Sequence, residues 1–235
     1  MKAYKAIFFD AGGTLFRPYP SVGHVYSEVA KRYSLFASPE EINTIFKEEW
    51  KIKSKFSDCS FDTSEEKEKK WWHGLVHGVF SRINSNNGFV HTVRFEEFFN
   101  ELYDIFAEPK VWRVFPEVIP VLKELKKRKA ILGIVSNWDS RLLMLCSSMG
   151  LESYFSFILA SGLVGTLKPG PGIFRKALEK SGTDAEVSLH VGDSLEDDIA
   201  GARNVGIDAI LIDRSGAYHD GITSISSLEE LLKMV

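Results

Sequence analysis

Short apolar runs that stop at polar residues recur along the chain. Ala6-Ile7-Phe8-Phe9 is wholly apolar and ends at Asp10, just before the glycine pair Gly12-Gly13. A strand apolar on both faces belongs inside a parallel sheet that is covered on both sides. Similar runs are Ile131 to Val135, ending at Ser136-Asn137, and Phe157 to Ala160, ending at Ser161-Gly162. Two more are Ser188 to Val191, ending at Gly192-Asp193, and Ala209 to Ile212, ending at Asp213. Helical patterns alternate with these runs. Pro116 to Lys129 places Val118, Val121, Leu122 and Leu125 at helical spacing, with Pro116 suited to a first turn. Asp139 to Met149 ends at Gly150, a natural left-handed cap. Pro171 to Lys180 ends at Gly182, and Leu195 to Val205 ends at Gly206. Strand–helix alternation of this kind predicts an α/β fold with a Rossmann-like, doubly wound parallel sheet.

From about Arg17 to Val111 the alternation breaks, and the pattern predicts four helices and no strand. The first spans about Ser21 to Leu35. The second starts at Ser38-Pro39-Glu40-Glu41, a capping box with proline at the first helical position. The third starts at Thr63-Ser64-Glu65-Glu66 and carries Trp71-Trp72. The fourth, Arg94 to Ala107, lines up Phe95, Phe98, Phe99, Leu102 and Phe106 on one face. Asn84-Ser85-Asn86-Asn87-Gly88 reads as a turn between the last two. The expected organisation is a core of residues 1–17 and 112–235 with a helical domain, 18–111, inserted after the first strand. Ligands of such sheets sit at the C-terminal strand ends. An insert leaving just after strand one would hang over that place as a lid.

Composition narrows the class. Apolar residues at 44% and charged residues at 26% are ordinary globular usage. A net charge of −3 gives no basic excess for a nucleic-acid backbone or a lipid surface. The two cysteines, Cys59 and Cys146, make no disulfide framework and fit a reducing compartment. The apolar run at Ala6 to Phe9 is too short for an export signal, and no run approaches the roughly 18 apolar residues of a membrane span. The expectation is a cytoplasmic protein, a monomer or weak homodimer, whose partner is a small molecule.

Four segments carry candidate chemistry. In Asp10-Ala11-Gly12-Gly13-Thr14 a carboxylate at a strand end is followed by glycines that let backbone amides approach a ligand. The plain alternative is a strand-end turn capped by Asp10. Ser136-Asn137 offers a hydroxyl and an amide for phosphate oxygens, or simply caps the next helix. Lys168 stands before Pro169-Gly170-Pro171, which would hold its ammonium in a rigid segment; a solvated lysine is the alternative. Asp193, Glu196, Asp197 and Asp198 crowd four carboxylates into six residues. Hard oxygen ligands of that kind suit Mg²⁺, although an acidic helix N-terminus is also favoured by the helix dipole.

Taken together, these motifs resemble the haloacid dehalogenase (HAD) superfamily of phosphatases and related hydrolases. All four of its motifs are present, and the insert looks like its helical type-1 cap. Ser136-Asn137-Trp138-Asp139-Ser140-Arg141, Trp71-Trp72 and Gly192-Asp193 resemble the rhythmically-expressed-gene-2-like branch. The resemblance implies that Asp10 is the nucleophile of a phosphatase-like reaction and forms an aspartyl phosphate. It implies Mg²⁺ held by Asp10, the Gly12 carbonyl and Asp193, with Asp198, or Asp197 as the alternative, supporting the site from behind; alignment of the motif favours Asp198. Gly12, Gly13 and Thr14 would shape the loop at the substrate. Ser136 would bind the phosphoryl group with backbone help from Asn137, and Lys168 would balance charge. One departure matters: family phosphatases usually carry an acid/base aspartate where this chain has Gly12. That residue type is worth about 10²–10⁴-fold in rate, so a slow or leaving-group-sensitive enzyme is expected. A dehalogenase, a phosphonate hydrolase and a weakly catalytic phospho-ligand-binding module are the alternatives.

Other residues carry less. His73 and His77 lie one helical turn apart without a third metal ligand in view. Trp71-Trp72 is expected to pack the insert. His190, within a strand, reads as a satisfied core histidine. Lys123, Lys126, Lys127, Arg128 and Lys129 read as the solvated end of a helix. Arg17, Tyr19 and His24 border the insert and are candidates for a missing proton donor.

Overall fold

The computed structural model describes residues 3–55, 61–83, 89–216 and 220–235. Cys59 and the Asn84–Gly88 turn lie outside them. The chain forms two compact units. One comprises Met1–Arg17, Phe61–Glu65 and Val114–Val235, and the other Pro18–Ser60 and Glu66–Arg113.

In the first unit the apolar runs form the expected strands. β1 (Ala6–Phe9) is followed, after the excursion into the second unit, by β4 (Ile131–Ser136), β5 (Phe157–Ala160), β6 (Ser188–Gly192), β7 (Asp208–Ile212) and the short β8 (Ser224–Ile225). They form one parallel sheet in the order β5-β4-β1-β6-β7-β8. The most apolar strand, β1, lies in the middle and is fully buried, as a strand without a polar face requires. The order reverses at β1: one wing runs through β4 and the other through β6. Helices α5 (Val118–Lys127), α6 (Arg141–Ser148), α7 (Ser161–Val164) and α8 (Pro171–Ser181) connect the strands, and α10 (Leu228–Leu231) ends the chain. Gly150, Gly182 and Gly206 all have positive φ. The acidic stretch is a π-helix, Leu195–Ala200, that runs into the short α9 (Gly201–Arg203), where a single helix is expected from the sequence.

The second unit is built on α1 (Val22–Arg32), α2 (Pro39–Lys55), α3 (Glu65–Ile83) and α4 (Val93–Ile105). Its own core joins Tyr26, Val29, Phe80, Phe95, Phe98 and Leu102. Trp71 and Trp72 pack at right angles, 5.1 Å apart, and both meet Trp50. The chain crosses between the units through β2 (Phe16–Pro18) and β3 (Trp112–Val114), which pair with each other. The expected insert, 18–111, is thus interrupted: Asp62 bridges Thr166, and Leu167 N–H donates to Phe61 C=O at 2.9 Å, tying that segment to the core. Among the described residues no helix is long and apolar enough to cross a membrane.

Candidate active site

Register brings the candidate residues together. Phe9 pairs with Ile134 on one side and with Val191 on the other, so β1, β4 and β6 end side by side. Asp10, Ser136 and Asp193 therefore leave adjacent strands at the point where the strand order reverses. Asp10 is buried, and its Oδ1 accepts from Ser136 Oγ at 2.8 Å and from Lys168 Nζ at 2.6 Å. No described hydrogen bond reaches its Oδ2, so one oxygen is held and the other is open. Lys168 is 2% exposed. Its ammonium also donates to Asp198 Oδ1 at 2.5 Å. The expected solvated alternative for this lysine is excluded. The side chain of Asn137 latches the backbone of Lys168 in both directions, accepting from its N–H at 2.7 Å and donating to its C=O at 2.8 Å.

The charges are strongly interdependent. Burial works against the charged form of Lys168, but Asp10 and Asp198 outweigh it and hold the ammonium protonated well above the usual range. Burial would raise Asp198 too, yet Lys168 and His190 keep it below the ordinary carboxylate range. Asp10 is raised, first by burial and then by repulsion from Asp198, against the pull of Lys168. Asp193 keeps an exposed edge. Loss of water around its carboxyl and repulsion from Asp10 and Asp198 still push its pKa up to about 8. Asp10, Asp193 and Asp198 each offer an oxygen within 4.8 Å of the others. Three carboxylates against one ammonium leave a formal charge of −2, which suits a divalent cation with oxygen ligands. Asp197 is half-buried with its pKa raised to about 6, first by desolvation. Its backbone N–H is capped by Ser194 Oγ.

The glycine pair divides its work. Gly13 has φ +80°, and a Cβ there would lie 2.2 Å from Asp193 Oδ2, so only glycine fits. At Gly12 a Cβ would meet Trp138 Cζ3 at 3.2 Å. Thr14 is fully buried and its hydroxyl has no hydrogen-bond partner. Its backbone, not its hydroxyl, is what the surroundings grip.

Four further residues serve the site without a clear sequence signal. His190 is fully buried, and its Nε2 lies 2.8 Å from Asp198 Oδ1, while Nδ1 has no partner. It is the expected core histidine, satisfied at Nε2 but not at Nδ1, and its bonded nitrogen supports the carboxylate network. A polar residue in an otherwise apolar strand was the available signal. Glu65 accepts from Ser140 N–H at 2.8 Å and from Ser140 Oγ at 2.9 Å, fixing the loop after Asn137. Trp138 packs on Phe16 at 5.7 Å. Arg214 reaches the backbone of the loop after Asp10. The proton-donor candidates have these neighbours. Tyr19 lies under Arg113 at 3.7 Å, His24 Nδ1 is 2.9 Å from Ser21 Oγ, and Arg17 lies over Phe115 at 5.9 Å. His73 pairs with Glu96 and His77 neighbours Ser81; Asp10, Asp193 and Asp198 form the one candidate metal cluster among the described residues.

Comparison with known proteins agrees with this geometry. Residues 4–206 match the family model of haloacid dehalogenase-like hydrolases. The haloacid dehalogenase-like hydrolase domain-containing protein 3 of Danio rerio is 32% identical over 208 residues, covering 88% of this chain and 84% of the relative. The Rhythmically expressed gene 2 protein of Drosophila melanogaster is 29% identical over 228 residues, covering 93% and 86%. A HAD phosphatase from Thermococcus onnurineus superposes with a TM-score of 0.65 at 25% identity, over 100% of this chain and 97% of that one. A 2-haloacid dehalogenase from Pseudomonas syringae does so at 0.64 and 27% identity, over 98% and 97%. A match over most of the chain, on a sheet whose strand ends gather three aspartates around a buried lysine, makes this protein a hydrolase of the haloacid dehalogenase-like family.

Proposed function

We propose that the chain is a Mg²⁺-dependent phosphatase acting on a small phosphorylated molecule, with Asp10 as the nucleophile. The observation that carries this reading is the charge balance at the strand ends: the three carboxylates of Asp10, Asp193 and Asp198 gather around the single ammonium of Lys168. Mg²⁺ would be held by Asp10, Asp193 and the Gly12 carbonyl, and would neutralise charge on the phosphoryl oxygens. An Asp10 oxygen attacks phosphorus while the bond from phosphorus to the ester oxygen breaks, and the electron pair departs with that oxygen. Water then hydrolyses the aspartyl phosphate, releasing inorganic phosphate and regenerating the carboxylate. Ser136 and Lys168 fix the carboxylate plane through Oδ1, so that attack starts from one orientation. Asp198, itself held by His190 and by Ser194 N–H at 3.0 Å, keeps Lys168 in place. Gly12 supplies no proton to the leaving oxygen. The helical unit, carried between Arg17 and Val114, serves in this reading as the cap that selects the substrate.

Borohydride trapping during turnover of p-nitrophenyl phosphate tests the proposal. Reduction of an aspartyl phosphate leaves homoserine at position 10, and Asp10→Asn abolishes both trapping and turnover. Turnover that survives complete removal of Mg²⁺ would rule it out. Likeness to a 2-haloacid dehalogenase supports a second reading, which metal-independent chloride release from a haloacid would select. Stabilisation by phosphate without turnover of any ester would point instead to a binding module.

A further inference from the structure

The loop after Asp10 is gripped by a side chain from the far end of the core sequence. Arg214 follows β7, and its guanidinium uses three donors. Nε donates to Gly13 C=O at 3.1 Å, Nη2 to Thr14 C=O at 2.6 Å, and Nη1 to Glu117 Oε1 at 2.6 Å. The flat face of the same group lies on the ring of Phe115, 3.3 Å from its centroid. Glu117 is itself mostly buried, with 12% of its side chain exposed. Three hydrogen bonds and one ring thus hold the guanidinium.

We propose that Arg214 is a positioning residue: its fork sets the shape of the loop from Gly12 to Thr14 and so places the Asp10 carboxylate and the Gly12 carbonyl. The reason lies in peptide geometry. A trans peptide is planar, with C=O and N–H opposed. Holding the Gly13 carbonyl therefore fixes the Thr14 N–H, and holding the Thr14 carbonyl fixes the Leu15 N–H. The latter donates to Ala11 C=O at 2.8 Å, directly beside Asp10. The Gly13 N–H donates to Phe16 C=O at 2.8 Å, which fixes the Gly12 carbonyl on the opposite side. Gly13 needs such restraint, because glycine at φ +80° has freedom that no side chain limits. Two successive carbonyls at fixed spacing suit a rigid two-donor edge; a lysine ammonium is a point donor without that geometry. Bonds from a charged donor are also the stronger kind.

Two measurements on wild type, Arg214→Lys and Arg214→Gln test the proposal. Amide hydrogen exchange on the metal-free protein reads the loop directly. Exchange at Gly13 and Leu15 is expected to be protected in wild type and at least about tenfold faster in both variants, as local opening becomes easier. With p-nitrophenyl phosphate at saturating Mg²⁺, kcat should fall about 10–100-fold with KM little changed, the pattern of misplaced reacting groups. Arg214→Lys keeps the charge and most of the stem, so it carries the test if Arg214→Gln does not fold. Unchanged exchange in Arg214→Lys overturns the proposal, because the fork then does not hold the loop. Faster exchange with an unchanged kcat overturns it as well, because the loop would then be held for stability alone. The rate arm rests on the phosphatase reading. A wild type that turns over no phosphate ester sinks that reading, and the exchange arm still decides whether Arg214 holds the loop.

Discussion

At the scale of single residues, Gly12 joins a feature visible in the sequence to one that only the fold supplies. Asp10-Ala11-Gly12-Gly13-Thr14 announces a carboxylate beside a flexible loop, and the missing acid is visible at once. The neighbour of Gly12 is not. Trp138 lies 126 positions away, and its ring occupies the space next to the glycine, 3.2 Å from where a Cβ would stand. Gly12 lies outside the left-handed region, so crowding by the indole, rather than backbone strain, resists a larger residue. Two outcomes follow. Aryl and acyl phosphates should turn over faster than alkyl phosphates by about 10²-fold or more, since an alkoxide needs a proton that Gly12 does not supply. Gly12→Asp alone should gain little, whereas Gly12→Asp with Trp138→Leu should raise the alkyl rate selectively. Steady-state rates across a series of leaving-group pKa values check both, and a flat series with chemistry rate-limiting would show that another group donates the proton. Lys168 makes a second case. Its conversion to Met leaves Asp10 and Asp198 facing each other without their shared cation. Breaking a buried pair of this kind costs about 3–5 kcal/mol. Denaturant titration should show that loss, and Mg²⁺ should recover part of it.

At the scale of elements, strands and helices were legible because apolar periodicity is local. The runs at residues 6–9, 131–136, 157–160, 188–192 and 208–212 are strands for the reason their sequence suggests. Two features carry no such periodic signal. Phe61–Glu65 belongs with the core through backbone bonds that carry no residue signature. The π-helix at Leu195–Ala200 is the other, since its side-chain pattern suits an ordinary helix. Its cause lies at Ser194, whose carbonyl accepts from both Asp198 N–H and Ile199 N–H at 3.1 Å. The widened turn brings the Asp198 carboxyl back over Gly192, where a Cβ would lie 2.1 Å from Asp198 Cγ. Such turns concentrate at functional sites. Gly192→Ala should therefore dislodge Asp198, lower stability by about 1–3 kcal/mol through overpacking, and weaken Mg²⁺ binding with it. Calorimetric titration of Mg²⁺ beside thermal melting separates the two effects. Loss of stability with unchanged Mg²⁺ affinity would show that Asp198 does not govern the metal site.

At the scale of the whole molecule, the two units have separate cores, and every residue assigned to the metal lies in one of them. The helical unit packs Tyr26, Phe80, Phe95 and Phe98 around a centre of its own. The sheet unit buries Phe8, Val135, Leu159 and Ile173. A cation that binds only the native sheet unit stabilises that unit by mass action, about 2.7 kcal/mol at a hundredfold excess over its dissociation constant. It has no direct purchase on helices α1, α2 and α4, whose residues lie outside the binding unit. Hydrogen exchange should therefore slow across β1, β4, β6 and the π-helix when Mg²⁺ is added, while the helical unit changes little. Adding a non-hydrolysable phosphate mimic together with Mg²⁺ extends the test to the proposed cap. If the helical unit selects the substrate, its exchange should slow only when the mimic is present. Slowing of all four helices by Mg²⁺ alone would mean that the units share one cooperative transition, and separate cores would then be the wrong basis for dividing metal binding from substrate selection.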